Sequence, residues 1–145
     1  METDQLQETE EVVKAIYFLA YGTLREGEAL HGWIAGDIIE PLGKATVKRH
    51  KLFYASEHFN FPYLIETGEG EDKAVGEVYV LPVNDQILDM LRMEQGAGYD
   101  ITMVDAELEN GETLEVVACL WNRGRHGDAV PNNDWCSTER REWWR

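Results

Sequence analysis

Glu94 is the residue whose position most favours chemistry. Ile87, Leu91 and Glu94 are separated by four and three residues, so they share one face of a predicted helix. Burial beside apolar residues and the negative end of the helix dipole both raise the pKa of a carboxyl, as general acid–base catalysis requires. The alternative is a glutamate that extends into water or pairs with Arg92 or with an arginine of the C-terminal tail.

The helix that carries Glu94 has clear end signals. Asn84 is a suitable N-cap, Asp85 lies in the first turn where the dipole favours acids, and Gly96 is a good C-terminal residue. Tyr99 follows after two glycines, and we expect it to return close to the helix end. Its hydroxyl is a candidate donor to Glu94 or to a ligand, although an aromatic that merely anchors the next strand fits equally well.

A second candidate site is the loop formed by residues 21–27, which read YGTLREG. It follows the apolar run of residues 15–20, which predicts a strand buried on both faces. A short helical segment is expected next, from the spacing of Leu30, Trp33 and Ile34. A strand that opens through glycine toward a helix leaves unpaired backbone N–H groups, which suit an anion such as a carboxylate. Many such turns bind nothing, so the pattern alone does not identify a site.

The remaining elements are mostly strands. Residues 45–54 alternate as one extended strand with a wet face, and residues 61–65 and 74–81 predict a hairpin with a loose polar loop. Residues 99–108 and 113–121 flank an Asn-Gly pair, the strongest short hairpin signal. Many strands, few helices and no repeated βαβ units predict an α+β fold built on a small, mostly antiparallel β-barrel with flanking helices.

Length and composition indicate one domain. The chain has 145 residues, is 43% hydrophobic and carries a net charge of −15. We expect a loose acidic N-terminus over residues 1–11 and one domain over residues 12–145, with a tail from about residue 122. The negative charge argues against nucleic acid and anionic membrane as partners. Two cysteines and no signal-peptide pattern favour the cytoplasm. The oligomeric state is left open.

Several common catalytic chemistries lack their residues. The sequence has no G-x-S-x-G motif, no phosphate-binding G-K-[ST] loop and no histidine or cysteine cluster with metal-ligand spacing. We therefore expect neither a metal nor another cofactor. Trp135, Trp143 and Trp144 are expected to fasten the tail to the sheet.

Taken together, five segments resemble the γ-glutamylcyclotransferase-like proteins, including the γ-glutamylamine cyclotransferase and plant avirulence-induced branches. The order and spacing of the segments carry the resemblance over roughly residues 15–135. The matching segments are YGTLR at residues 21–25, FPYL at 61–64, VGEVY at 75–79, LDML at 88–91 with Glu94, Gly98 and Tyr99, and NDW at 133–135.

This resemblance implies a small β-barrel with a pocket at the first loop, and a reaction that needs no cofactor. The α-amine of a γ-glutamyl substrate would attack its own γ-carbonyl, closing 5-oxoproline and expelling an amine or amino acid. Glu94 would transfer the proton, and Tyr99 would help fix the carboxylate or Glu94. The glutamyl end would be held by the backbone of Tyr21, Gly22, Thr23 and Leu24.

Two other kinds of protein fit the same sequence. One is a non-catalytic relative that binds an amino-acid-like metabolite, which a Glu94 held in a salt bridge would favour. The other is an interaction protein that uses an acidic surface, which would require the acidic residues to cluster in one patch.

Overall fold

Seven strands, two α-helices and two short 3-10 helices make up the computed structural model, which describes residues 14–56 and 59–137. The predicted loose segment of residues 1–11 lies outside the described residues. The strands are β1 (Ala15–Ala20), β2 (Glu40–Lys48), β3 (His50–Ser56), β4 (Phe59–Glu66), β5 (Lys73–Pro82), β6 (Asp100–Leu108) and β7 (Thr113–Leu120).

Five of the strands close into a barrel, as predicted. Their order is β1-β5-β2-β6-β7, and β1 meets β7 again through the parallel pairing of Phe18 with Val117. β4 joins the outside of β7, also in parallel, at the pairing of Leu64 with Leu120, and β3 pairs with β4. All other strand pairs are antiparallel, so the α+β class with a mostly antiparallel barrel is confirmed.

Alternation along the strands fills the barrel interior. In β6, Val104, Ala106 and Leu108 are buried, whereas Met103 and Asp105 face solvent. This is the period-two pattern of a strand with one face in a core. The hairpin of β6 and β7 around the Asn-Gly pair is confirmed, with Glu107 opposite Thr113.

The two α-helices flank the barrel: α1 (Gly32–Ala35) and α2 (Asp85–Gly96). The predicted N-cap of α2 is correct, because Asn84 Oδ1 accepts a hydrogen bond from the Ile87 N–H at 2.9 Å. Ile87 and Met90 bury one face of α2. No helix among the described residues is long and apolar enough to cross a membrane.

Three local expectations are wrong. Residues 45–54 do not form one strand, because Arg49, at a φ of 67°, separates β2 from β3. β4 and β5 do not form a hairpin, because β4 pairs with β3 and β7 while β5 pairs with β1 and β2. The first strand is not buried throughout, since Tyr17 is 42% exposed; only its end, nearest the loop, is buried on both faces.

The C-terminal segment completes the outer edge of the sheet. The Tyr54 N–H donates to the carbonyl of Asp128 at 2.8 Å, so the tail covers β3. Trp135 is fully buried and meets Tyr54 edge-on, with ring centroids 5.8 Å apart. The expected anchoring role is therefore confirmed for Trp135, whereas Trp143 and Trp144 lie outside the described residues.

Candidate functional site

A cavity of about 390 Å³ opens where β1 ends. The structure brings all six predicted site residues to it: Glu94, Tyr21, Gly22, Thr23, Leu24 and Tyr99. It also adds residues for which the sequence suggested no role in a site. These are Phe18, Leu19, Ala20, Leu30, Phe61, Pro62, Tyr63, Ala97 and Cys119.

The loop after β1 is held by its own turns. The Arg25 N–H donates to the Gly22 carbonyl at 3.0 Å, and the Leu30 N–H donates to the Thr23 carbonyl at 2.8 Å. In residues 14–56 and 59–137, no acceptor receives a hydrogen bond from the backbone N–H of Gly22, Thr23 or Leu24. Gly22 and Leu24 are buried. Buried, unpaired N–H groups are costly unless a ligand or water accepts from them, so this loop is suited to an anion.

Packing against another strand explains why residue 22 is a glycine, which the sequence did not reveal. A Cβ placed on Gly22 would lie 2.5 Å from Cγ and 2.6 Å from Cδ of Pro62, on β4. A proline ring is tied to the backbone and cannot swing away. Glycine is therefore required because the loop passes directly against β4, which brings the loop and β4 together as two walls of the cavity.

Arg25 anchors this loop to two distant parts of the chain. It is only 4% exposed, and its Nε lies 3.0 Å from Glu77 Oε2 while its Nη1 lies 2.7 Å from Asp134 Oδ1. Glu77 also accepts from the Glu26 N–H at 2.9 Å and from the Tyr79 hydroxyl at 2.7 Å. Burial alone would raise the pKa of Glu77, but these hydrogen bonds and the Arg25 charge lower it.

Glu94 enters the cavity from the last turns of α2. It is half-buried, and burial raises its pKa above the ordinary carboxyl value. Across the described part of the chain, no basic side chain pairs with Glu94; Arg92 pairs instead with Asp89 at 2.7 Å. Among the described residues the Glu94 carboxyl group is thus free to accept or donate a proton toward the cavity. The expected alternative of pairing with a tail arginine is not settled for Arg140, Arg141 and Arg145, which lie outside those residues.

Tyr21, Tyr99 and the Cys119 thiol line the same cavity as Glu94 and lie close enough for its charge to affect them. The Tyr21 hydroxyl donates to the Cys119 carbonyl at 2.7 Å, and the Tyr99 hydroxyl reaches the Pro62 carbonyl at 3.4 Å. Burial is the main reason why the pKa of both tyrosines is raised, and neighbouring charges, including that of Glu94, raise it further. Both hydroxyls therefore stay protonated as donors. The predicted return of Tyr99 to the helix end is correct, but it is the Tyr99 backbone N–H that donates to the Glu94 carbonyl, at 3.1 Å.

Aromatic rings form one side of the cavity, and we call Phe61, Tyr63, Tyr99 and the supporting Trp121 the aromatic wall. Tyr63 and Trp121 are stacked, with centroids 3.8 Å apart and planes 8° from parallel. Tyr99 meets both rings edge-on, at 5.7 Å and 5.5 Å. Phe61 packs on Tyr63 at 5.9 Å. No sequence pattern indicates a function for Tyr63 or Trp121, because residues so far apart in the chain carry no local sign of contact.

Comparisons with known proteins identify the family and the fold. A family model described as gamma-glutamyl cyclotransferase, AIG2-like, matches residues 18–137. No curated protein matches the chain significantly in a sequence search. Among solved structures, an uncharacterized protein from Pyrococcus horikoshii is 24% identical with a TM-score of 0.62, covering 84% of this chain and 91% of that one.

Two further structures share the fold. An AIG2-like protein from Mus musculus is 23% identical with a TM-score of 0.60, covering 73% of this chain and 76% of its own. A gamma-glutamyl cyclotransferase is 17% identical with a TM-score of 0.63, covering 81% and 73%. At these identities the likeness concerns the fold alone, whereas the family model spans the barrel, the loop, Glu94 and the tail through Trp135. This chain belongs to the AIG2-like gamma-glutamyl cyclotransferase family.

Proposed function

We propose that this protein releases 5-oxoproline from a γ-glutamyl amine or γ-glutamyl peptide. The observation that carries the proposal is that one cavity holds both a half-buried Glu94 carboxyl group and a loop of backbone N–H groups, neither of which has a partner among the described residues. The glutamyl end of the substrate has a carboxylate for the loop and an amine for Glu94. Family membership points to the same reaction class.

The reaction requires only the substrate and one proton carrier. The α-ammonium gives a proton to the Glu94 carboxylate, and the freed amine nitrogen attacks the γ-carbonyl carbon. A carbon–nitrogen bond forms and closes the five-membered ring. The bond from the same carbon to the leaving nitrogen then breaks as Glu94 gives its proton to that nitrogen. The ring nitrogen loses its second proton through Glu94 to the departing amine, which leaves as an ammonium ion. The raised pKa of Glu94 suits these transfers.

The cavity would contribute mainly by holding the substrate folded back on itself. The N–H groups of Gly22, Thr23 and Leu24 would fix the α-carboxylate, while the neutral hydroxyls of Tyr21 and Tyr99 would border Glu94. Alignment of two reacting groups in one molecule is worth about 7–11 kcal/mol in well-oriented cases. No nucleophilic side chain is needed in this scheme.

A binding module without activity is the competing function. Such a protein has no need for an ionisable group with a raised pKa, and a salt bridge would be the simpler way to hold Glu94. Arg92, the nearest candidate on the same helix, pairs with Asp89 instead. This arrangement favours the enzyme.

The test is incubation of the protein with a panel of γ-glutamyl amides and dipeptides, in the presence of a chelator, with 5-oxoproline followed by mass spectrometry. We expect release from at least one compound and none from its N-acetylated form, because acetylation removes the attacking amine. Turnover of the N-acetylated compound would mean that water attacks, and the proposed mechanism would be wrong. A complete absence of 5-oxoproline would leave the binding module as the function.

A further inference from the structure

The cavity wall contains one charged side chain, Glu94, and no lysine, arginine or histidine among the described residues that line it. The glutamyl α-carboxylate has the backbone of Gly22, Thr23 and Leu24 as its partner in the function proposed above. A second carboxylate, on the leaving group, would find no cation at the wall.

The negative charge of the surroundings further raises the free-energy cost of binding such a second carboxylate. Glu94 is negative when it acts as a base, and the whole chain carries a net charge of −15. Burial of an ionised group without a partner costs free energy, and like charges increase that cost. An amino acid as leaving group, which carries its own carboxylate, is therefore disfavoured.

Two arginines in the described part of the chain, Arg25 and Arg123, do not line the cavity. Arg25 is held between Glu77 and Asp134. The Arg123 Nε donates to the Gly98 carbonyl at 2.9 Å. Neither is placed at the wall as a ready partner for a leaving-group carboxylate.

The aromatic wall offers a different kind of contact. Tyr63 is stacked on Trp121 and meets the edge of Tyr99, so its ring is fixed before a ligand arrives. Leu30, Phe61 and Pro62 add apolar surface to the same cavity. A rigid aromatic surface favours flat or apolar groups and loses little entropy when it binds them.

We propose that this enzyme selects γ-glutamyl conjugates whose leaving amine carries an apolar or aromatic group and no carboxylate, with Tyr63 as the specificity-determining contact. The inference rests on the proposed function and narrows it from any γ-glutamyl amine or peptide to one chemical class.

The decisive test compares γ-glutamylphenethylamide with γ-glutamylphenylalanine, because the two leaving groups differ only by one carboxylate. We expect kcat/KM to be at least about tenfold higher for the phenethylamide. This factor corresponds to the lower end of the free-energy cost of burying a polar group without a partner. An equal or higher kcat/KM for γ-glutamylphenylalanine would overturn the inference while leaving the proposed function intact. Failure of both compounds, of γ-glutamylmethylamide and of the whole panel above to release 5-oxoproline would refute the proposed function itself.

Two variants test the assignment of the contact. Tyr63→Leu is expected to lower the ratio of kcat/KM for phenethylamide over methylamide by about three- to tenfold, the usual worth of an aromatic contact. An unchanged ratio in a folded variant would remove Tyr63 from the role. Arg123→Gln is the control, and it should leave the preference for phenethylamide over phenylalanine unaltered. A drop in γ-glutamylphenylalanine turnover in that control would show that Arg123 binds the carboxylate and that the inference is wrong. The wild-type comparison does not depend on the folding of either variant.

Discussion

Replacement of Glu94 by glutamine separates proton transfer from every other role of this side chain. Glutamine keeps the shape and the hydrogen-bonding capacity of glutamate, but it cannot carry a proton. General acid–base groups contribute about 100- to 10,000-fold in rate. We therefore expect kcat/KM to fall by at least about 100-fold, which corresponds to about 2.7 kcal/mol in the activation free energy.

The same variant should fold normally, for a reason that follows from the pKa of Glu94. Burial raises that pKa in the folded state above the ordinary carboxyl value of 4.5. The folded state thus binds the proton more tightly than the unfolded state, so wild-type stability falls as pH rises from about the unfolded pKa through the folded one. Glutamine removes this penalty. The variant should be at least as stable as wild type at pH 8, and its advantage should shrink by pH 4.

Asp89→Asn is the matched control. It removes one negative charge from the same helix. Asp89 and Arg92 are both largely exposed, and an exposed ion pair contributes little to stability. Its kcat/KM should match wild type. The assays are 5-oxoproline release across pH and thermal melting at pH 4 and pH 8. A folded Glu94→Gln protein with wild-type turnover would refute the assignment of Glu94 as the proton carrier.

Two further substitutions test how the loop is held. Gly22→Ala places a Cβ about 2.5 Å from the Pro62 ring, so we expect a loss of about 1–3 kcal/mol in unfolding free energy and a raised KM. Denaturant titration and steady-state kinetics measure the two effects, and an unchanged KM would show that the loop does not bind the substrate. Arg25→Met leaves the Glu77 carboxylate without its cation, so we expect a loss of about 3–5 kcal/mol at pH 7. Because the folded-state pKa of Glu77 is lowered, that loss should shrink as pH falls below about 4.5, and a loss independent of pH would contradict the role of the ion pair.

Local signals predicted the elements that lie close in sequence. The cap at Asn84 and the apolar stripe through Ile87 correctly located α2, and the Asn-Gly pair located the hairpin of β6 and β7. These signals work because each element is set by contacts within a few residues. The helical period also correctly placed Glu94 on the partly buried face of α2.

The same patterns failed where strands choose partners far along the chain. Alternation identified residues 61–65 and 74–81 as strands, but the pairings of β4 and β5 depend on the closing of the barrel. The break at Arg49 was missed because a non-glycine residue at positive φ leaves no mark in the sequence.

The order of motifs, the barrel class and Glu94 as the candidate proton carrier could all be predicted from the amino-acid sequence. How the motifs act together depends on contacts between distant parts of the chain. Arg25 meets residues 52 and 109 positions away, and Gly22 is fixed by a proline on another strand. The aromatic wall likewise joins β4 to the end of β7. Such contacts are set by strand order and register, which arise from packing of the whole core, so no local stretch of sequence specifies them.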